Sequence, residues 1–450
     1  MLRLIALEAR LLARERFAWV LLLFLALSCA LAVANGRVLM DQQLDGRAIA
    51  AQGDAKARER VEGAFAPDFD RALAIVVPYW VRTQAVSPAP PLADFSAGRA
   101  AIEPHATTVT LRSRVDTLFE RTAVDNPEAA ARGSLDLGFV AVVLMPLALI
   151  GLGYGLFAAD RESGAARLLL AQGGTPTRVL LARSVPRLLL VLGPLAMAAV
   201  VLLATGPQID ERGTAAGWWL LVAVALAAFW WAVILFVNAL RIGAETAALT
   251  LVSVWAMLTL VLPAAVTATA QLAYPPPSRF AQIATARAAE MSSTTAYEND
   301  HPDLASESFA GRLASVRKSL SIARTVDRAV APIARRFDAQ LAGQQGIVRA
   351  LAWLSPPMIA ADAMTATAGT DVGRSLAFRR AAVDYMGQTK AALGGFIDRG
   401  AIMTRPEYAA LPAFDWRPEP VRPVAQLLAL FALALLVGAV ALHRFRRVSV

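Results

Sequence analysis

The sequence predicts an all-α polytopic membrane protein. Six transmembrane helices carry a mainly helical extracytoplasmic domain, with some β structure, built from two long loops. Three observations carry this prediction. Hydrophobic residues make up 57% of the 450 and charged residues only 18%, against about 25% charged in an ordinary soluble domain. Six long uncharged stretches are each bounded by charges. The basic residues are distributed unevenly between the segments that join those stretches.

The uncharged stretches are Phe17–Gly36, Leu137–Ala159, Leu188–Ile209, Gly213–Leu240, Thr246–Ser278 (apolar as far as Ala273) and Pro423–His443. A helix needs about 20 residues to cross a bilayer. The spans are therefore drawn at 17–36, 136–159, 177–209, 213–240, 246–273 and 423–443. With the N-terminus in the cytoplasm, segments 1–16, 160–187, 241–245 and 444–450 are cytoplasmic. They hold 13 basic and 5 acidic residues, nearly the whole net charge of +9. That is the positive-inside pattern, with both termini cytoplasmic. The pI of 10.3 is then a topology signal, and no nucleic acid is needed as a partner. Arginine outnumbers lysine 41 to 3, which fits a GC-rich bacterial genome and the bacterial inner membrane. Ala32-Val33-Ala34 resembles a signal-peptide cleavage site. The long leading segment and long apolar run favour an uncleaved anchor.

Residues 1–16 read as an amphipathic helix lying in the membrane interface. Arg3, Arg10 and Arg14 share one stripe, opposite Leu2, Ile5, Ala6, Ala9, Leu12 and Ala13. Segment 37–135 opens with a polar helical stretch over Leu44–Phe65. Leu73–Arg82 and Thr107–Arg112 are rich in β-branched residues and read as strands. Within the cytoplasmic coupling segment 160–176, residues 161–172 read as a short helix ended by Gly173-Gly174, after which Thr175-Pro176 starts the third span. The fourth and fifth spans form a hairpin around Arg241–Glu245. Tyr274-Pro275-Pro276-Pro277 ends the fifth. Segment 274–422 carries helical patterns over Arg279–Ser292, Leu304–Trp353, Ser355–Ala366 and Val372–Arg399. The two long segments are large enough to form one joint domain. A cytoplasmic tail, 444–450, closes the chain.

Catalytic and cofactor motifs are missing from the sequence. The Gly-rich stretch Gln172–Pro176 lacks the lysine of a phosphate-binding loop, so the chain has no nucleotide site of that kind. One cysteine, Cys29, and three scattered histidines, His105, His301 and His443, suggest no metal site. The chain reads as no enzyme and as binding no cofactor. No charge lies inside a span, which disfavours a proton-coupled pump. Gly151 and Gly155 are spaced as a helix-packing face. Pro146 and Pro263 are placed to kink the second and fifth spans.

The most informative piece is Asp160-Arg161-Glu162-Ser163-Gly164-Ala165-Ala166-Arg167-Leu168-Leu169-Leu170. It resembles the coupling segment of ABC transporter permeases of the type-2 exporter class. The layout resembles the branch with large extracytoplasmic domains, often described as multicopper-enzyme-maturation permeases. Further phrases carry the likeness: Pro91-Leu92 with Gly98 and Pro104, Tyr274-Pro275 with Pro277-Ser278-Arg279, and His301-Pro302-Asp303-Leu304. Leu354-Ser355-Pro356 and Ala368-Gly369-Thr370-Asp371 with Phe378 extend it. The sequence itself lends copper no support, lacking any external Met or His cluster.

The resemblance implies a permease working as a dimer, with a second copy or a paralogous permease, and with two copies of a separate ATPase that holds ATP and Mg. It places Asp160, Arg161, Glu162, Gly164, Arg167, Leu168 and Leu169 on the ATPase, together with helix 1–16. It implies a path lined by the second and fifth spans, for which Tyr154 and Asn238 are the polar candidates. A second reading is mechanical transmission from the ATPase to a periplasmic partner, with nothing crossing between the spans. An external domain merely anchored by the spans is disfavoured, since six spans exceed what an anchor needs.

Overall fold

The computed structural model describes residues 2–119, 135–156, 176–240, 242–275, 278–301 and 309–448. The chain is mostly helical, with one two-stranded antiparallel sheet among the described residues. Helix α1 is Leu2–Leu12, α2 is Arg16–Gly63, and α3 (Arg71–Ala74) and α4 (Val77–Trp80) are single turns. Strands β1 (Arg82–Val86) and β2 (Ala106–Thr110) flank a 3-10 turn at Gly98–Ala101. Next come α5 (Leu137–Gly153), α6 (Pro176–Thr205), α7 (Arg212–Asn238) and α8 (Ala244–Ala273). The rest are α9 (Arg279–Asp300), α10 (Phe309–Ala352), α11 (Pro356–Ala368), α12 (Val372–Arg399), α13 (Arg405–Ala409) and α14 (Val424–Val448).

Five of these, α2, α6, α7, α8 and α14, are long and apolar enough to cross a membrane, which marks a membrane protein. The sixth apolar helix, α5, is shorter; the last residues of its expected span, 157–159, lie outside the described residues. Helix α7 is the core of the bundle. Its most apolar window is 72% buried, against 17–28% for the other four. Trp219 and Trp230 are fully buried along it. The other four expose large apolar side chains such as Leu23, Leu189, Leu249 and Leu435, as lipid-facing helices do.

Two prolines shape the bundle as expected. A π-helical turn, Val140–Leu144, stands just before Pro146 in α5, and another, Met257–Val261, just before Pro263 in α8. Proline has no N–H to donate and its ring crowds the carbonyl four residues back. The wider turn relieves that crowding within the helix.

Two expectations are corrected, and the structure adds a third feature. No break follows Gly36: α2 runs unbroken for 48 residues from the apolar stretch into the polar one. Residues 37–63 contain no proline and are rich in Ala, Arg, Gln and Glu, so nothing stops the helix. Leu73–Arg82 is not a strand. It forms α3 and α4, because Pro78 favours a first helical turn over a ladder position. Only Arg82 is shared with β1, whose register pairs Arg82 with Thr110 and Val86 with Ala106. Segment 274–422 is not wholly separate from the spans. Ile359, Ala360, Ala363, Met364 and Ala368 of α11 share one core cluster with α7 and α14. The wholly buried Ser355 donates from Oγ to the Leu258 carbonyl at 2.8 Å, inside the π turn of α8. The chain therefore turns at Ser355 level with the middle of α8. Helix α11 has 13 residues, too short to register as a span.

The two long segments pack as one domain. Val61, Ile75 and Leu111 share a core with Leu313, Leu320, Leu393 and Ile397. Ala85 and Val109 meet Phe378, Tyr385 and Met386. The buried Lys390 donates from Nζ to Asp327 Oδ2 at 2.5 Å and to the Ser113 carbonyl at 2.8 Å, tying both segments together.

Candidate functional site

The bundle has two polar anchor points, one at the end that carries the domain and one at the opposite end. At the opposite end the key side chain is Glu8. It projects from α1 between two arginines of α6, accepting from Arg183 Nε at 3.1 Å and lying 3.7 Å from Arg187 Nη1. The same arginines close off the end of α5. Arg183 Nη1 donates to the Leu156 carbonyl at 2.7 Å, and Arg187 Nε to the Leu152 carbonyl at 3.1 Å. The last carbonyls of a helix have no partners within it, and cations are favoured there. One node thus joins α1, the end of α5 and the first turns of α6. It brackets residues 157–175 from both sides.

The sequence-predicted docking residues Asp160, Arg161, Glu162, Gly164, Arg167, Leu168 and Leu169 lie outside the described residues. Helix α6 does begin at Pro176, as the Thr-Pro pair predicts. Arg3 and Arg10 on α1, and Arg14 just beyond its end, are exposed. Leu12 is buried and Ile5 and Glu8 are half-buried, whereas Leu4, Leu7 and Leu11 are exposed. The acidic Glu8 orients α1 on α6, and apolar periodicity carries no trace of it.

The candidate path residues separate. Asn238 is 1% exposed. Its Nδ2 donates to the Gly153 carbonyl at 3.0 Å and to the Ile234 carbonyl at 2.9 Å, fastening α7 to α5. Tyr154 is exposed. Gly155 has open space around it and Gly151 makes only ordinary contact with Phe17. The close-packed glycine is Gly153, where a Cβ would stand 2.7 Å from Ile234 Cγ2. Glycine spacing pointed to the right turn but to the wrong residues. On the same helix, Trp231 Nε1 donates to Ser184 Oγ at 2.7 Å, holding α7 to α6.

At the domain end, residues 91–97 form a plug. Leu92, Ala93 and Phe95 are 0% exposed, Asp94 is 1% and Ser96 is 2%. Arg212, the first residue of α7, grips Asp94 with both Nη atoms and also donates to the Leu202 carbonyl at 3.1 Å. Trp219 Nε1 donates to Ser96 Oγ at 2.9 Å, and its ring meets Phe95 edge-on. The Asp136 carboxylate caps α5 by accepting from Phe139 N and accepts from Ala97 N, both at 2.7 Å. Thr370 Oγ1 donates to the Ser96 carbonyl at 2.8 Å. A Cβ on Gly36 would fall 2.1 Å from the Asp94 carbonyl oxygen, so only glycine lets α2 approach. The plug therefore meets α2, α5, α7 and the end of α11 together. Burial pushes the Asp94 carboxyl above its usual range even though Arg212 pulls it down. Taking two charges out of water offsets much of what their attraction returns, and the pair fixes the plug against α7.

Among the described residues, no group of three or more His, Cys, Asp or Glu side chains is placed to hold a metal.

Residues 281–417 match a protein family described as "Domain of unknown function (DUF3526)". The match runs from α9 to just beyond α13. No curated protein and no solved structure matches the chain.

Proposed function

We propose that the chain is the membrane-spanning permease subunit of an ATP-driven ABC transporter of the type-2 exporter class, with export as its direction. It crosses the bacterial inner membrane six times, with α5 as the second span and both termini in the cytoplasm. The joint domain is then extracytoplasmic. A separate ATPase, present in two copies and holding ATP and Mg, docks on segment 160–171 and on α1. A second permease, identical or paralogous, completes the dimer.

The observation that supports this reading is the Glu8–Arg183–Arg187 node. It fastens both flanks of the docking segment to α5 and α6. A push on that segment then moves two core helices rather than bending a loop. The test is purification in mild detergent from the native host, with the co-purifying subunits identified by mass spectrometry. Wild type should bring a subunit with a phosphate-binding loop, and the double variant Arg161→Ala, Glu162→Ala should lose it. Recovery of no ATPase with either protein would end the permease reading.

A second reading, transmission of force to a periplasmic partner, draws on one observation. Of the two polar side chains proposed to line a path, Asn238 spends its amide on two helix carbonyls. In that case ATP turnover moves the joint domain while no substrate crosses. Reconstituted liposomes separate the two: ATP-dependent domain movement with no ATP-dependent export of co-purified cargo favours transmission.

A further inference from the structure

The joint domain encloses a cavity of about 50 Å³, open on one side, beside the plug. A single water takes about 10–15 Å³ by this measure, so the space admits one small polyatomic ion in place of a few waters. Its wall is basic, with Arg47 from α2, Arg99 from the 3-10 turn and Arg374 from α12. The neighbouring acids are already engaged. Glu103 pairs with Arg99. The Asp371 carboxylate caps α12, accepting from Gly373 N at 2.8 Å and Arg374 N at 3.3 Å.

Arg47 and Arg374 make no ion pair with any carboxylate among the described residues. Arg47 is held by neutral acceptors, donating from Nε to the Ser87 carbonyl at 2.8 Å and from Nη1 to the Gln43 carbonyl at 2.6 Å, while its Nη2 reaches Pro88 O at 3.4 Å and Arg374 Nη2 donates to the same oxygen at 2.9 Å. Two guanidinium groups thus converge on a single atom. Burial lowers Arg374 to about 10, and its charge acts against Arg47. Like charges brought together out of water stay there at a cost unless an anion joins them. Ser375 Oγ, buried and unpartnered, borders the same space.

We infer that this cavity binds a phosphate group, held between the guanidinium groups of Arg47 and Arg374 at the start of α12. Arginine forks match phosphate oxygens bidentately. Guanidinium groups from two helices and a serine hydroxyl border the same small space, which suits a tetrahedral anion better than a planar carboxylate. The phosphate comes from an anionic lipid headgroup or from free phosphate. Thr370 borders the cavity and also holds Ser96 of the plug, so occupancy braces the plug. The inference stands apart from the ATPase reading, because nothing in it requires that partner.

The experiment uses the full chain in neutral detergent. Inorganic phosphate is titrated against chloride at matched ionic strength, and thermal unfolding is followed by tryptophan fluorescence. Phosphate a hundred-fold above its Kd should raise Tm by about 3 °C over chloride. Arg47→Gln and Arg374→Gln should each weaken the effect at least tenfold, and Arg374→Lys should restore part of it. A second arm reconstitutes the chain in nanodiscs of phosphatidylcholine with phosphatidylglycerol and identifies retained lipid by native mass spectrometry. Phosphatidylglycerol kept by wild type and lost by Arg47→Gln assigns a headgroup; a phosphate effect with no retained lipid assigns the free anion. Equal Tm in phosphate and chloride for wild type, with no retained anionic lipid, would overturn the inference. So would a phosphate effect that survives in both glutamine variants. The wild-type comparison decides even where a variant fails to fold.

Discussion

The two anchor points use the same chemistry and differ in what surrounds them. At the domain end, Arg212 and Asp94 are 5% and 1% exposed, enclosed by tryptophan, phenylalanine and a glycine contact. At the opposite end, Arg183 and Glu8 are 14% and 16% exposed, and the arginines also serve the last carbonyls of α5. The first pair sits in a packed layer with one arrangement open to it. The second is a hydrogen-bonded junction between helix ends that can shift without opening a core. On the proposed reading, in which movement passes from one end to the other, this asymmetry has a use. The end that receives the push has to yield as a unit, and the end that closes the bundle has to resist until the helices themselves move.

The largest expected effect breaks the closed end. Arg212→Ala leaves Asp94 buried and unpaired, and loss of one partner of a buried pair costs about 3–5 kcal/mol. Thermal or denaturant unfolding of the purified protein measures it. The double variant Asp94→Leu, Arg212→Met should recover most of that loss, since the pair positions rather than stabilises. A double variant as damaged as the single one would show that the charges themselves stabilise the plug. Next comes Gly36→Ala. The added methyl meets the Asp94 carbonyl oxygen at 2.1 Å, where backbone has to move. Overpacking of this kind costs about 1–3 kcal/mol. It should also raise the reactivity of a cysteine placed at Ser96, because the plug is pushed outward.

The junction end should respond differently. Glu8→Gln removes a partly exposed pair, for which about 1 kcal/mol is expected. Stability changes little, yet on the permease reading the coupling of ATP turnover to movement of α5 and α6 falls. A large stability loss with coupling intact would erase the contrast between the ends. Ser355→Ala tests the hinge between them. It strips the Leu258 carbonyl in the π turn of its donor, at a cost of about 1 kcal/mol.

These sites were unequally legible in the sequence. The long apolar helices announce themselves because lipid accepts only long uncharged runs. The start of α6 at Pro176 and the cap of α12 at Asp371 follow from local chemistry. Helix α11 was readable as a helix but not as part of the bundle, since burial against protein needs far fewer apolar residues than crossing lipid. A lone amide among apolar residues, such as Asn238, suggests a wet path, and the sequence carries no sign of its packing partners. Here it is satisfied by two carbonyls of packed helices. Glu8 and its arginines lie about 175 residues apart in the chain. Asp94 lies 118 residues from Arg212. Pairings at such separations leave no periodic trace. The resemblance did single out Pro91-Leu92, Leu354-Ser355-Pro356 and the Gly369–Asp371 phrase. These are the residues that enter the plug, turn beneath α11 and border the cavity, so the phrases that looked weakest locally mark where the domain meets the bundle.

The smallest expected effect sharpens the comparison through pH. His105 sits beside the same plug, and burial with the nearby Arg47 charge lowers its pKa below 6.5. The folded chain therefore holds the ring neutral. As pH falls through about 6.5, the unfolded chain takes up a proton that the folded chain refuses, so stability present above that pH is lost on acidification. Between pH 7 and pH 5 the domain end should loosen by this route, and His105→Gln should flatten that part of the profile. Cysteine labels at Ser96 and Glu8, followed across the same range, locate the response. Loosening at Ser96 alone fits a closed end whose charge balance depends on one buried ring. Equal loosening at both positions would mean that the two ends unfold as one unit, and the difference in their surroundings would then have no mechanical meaning.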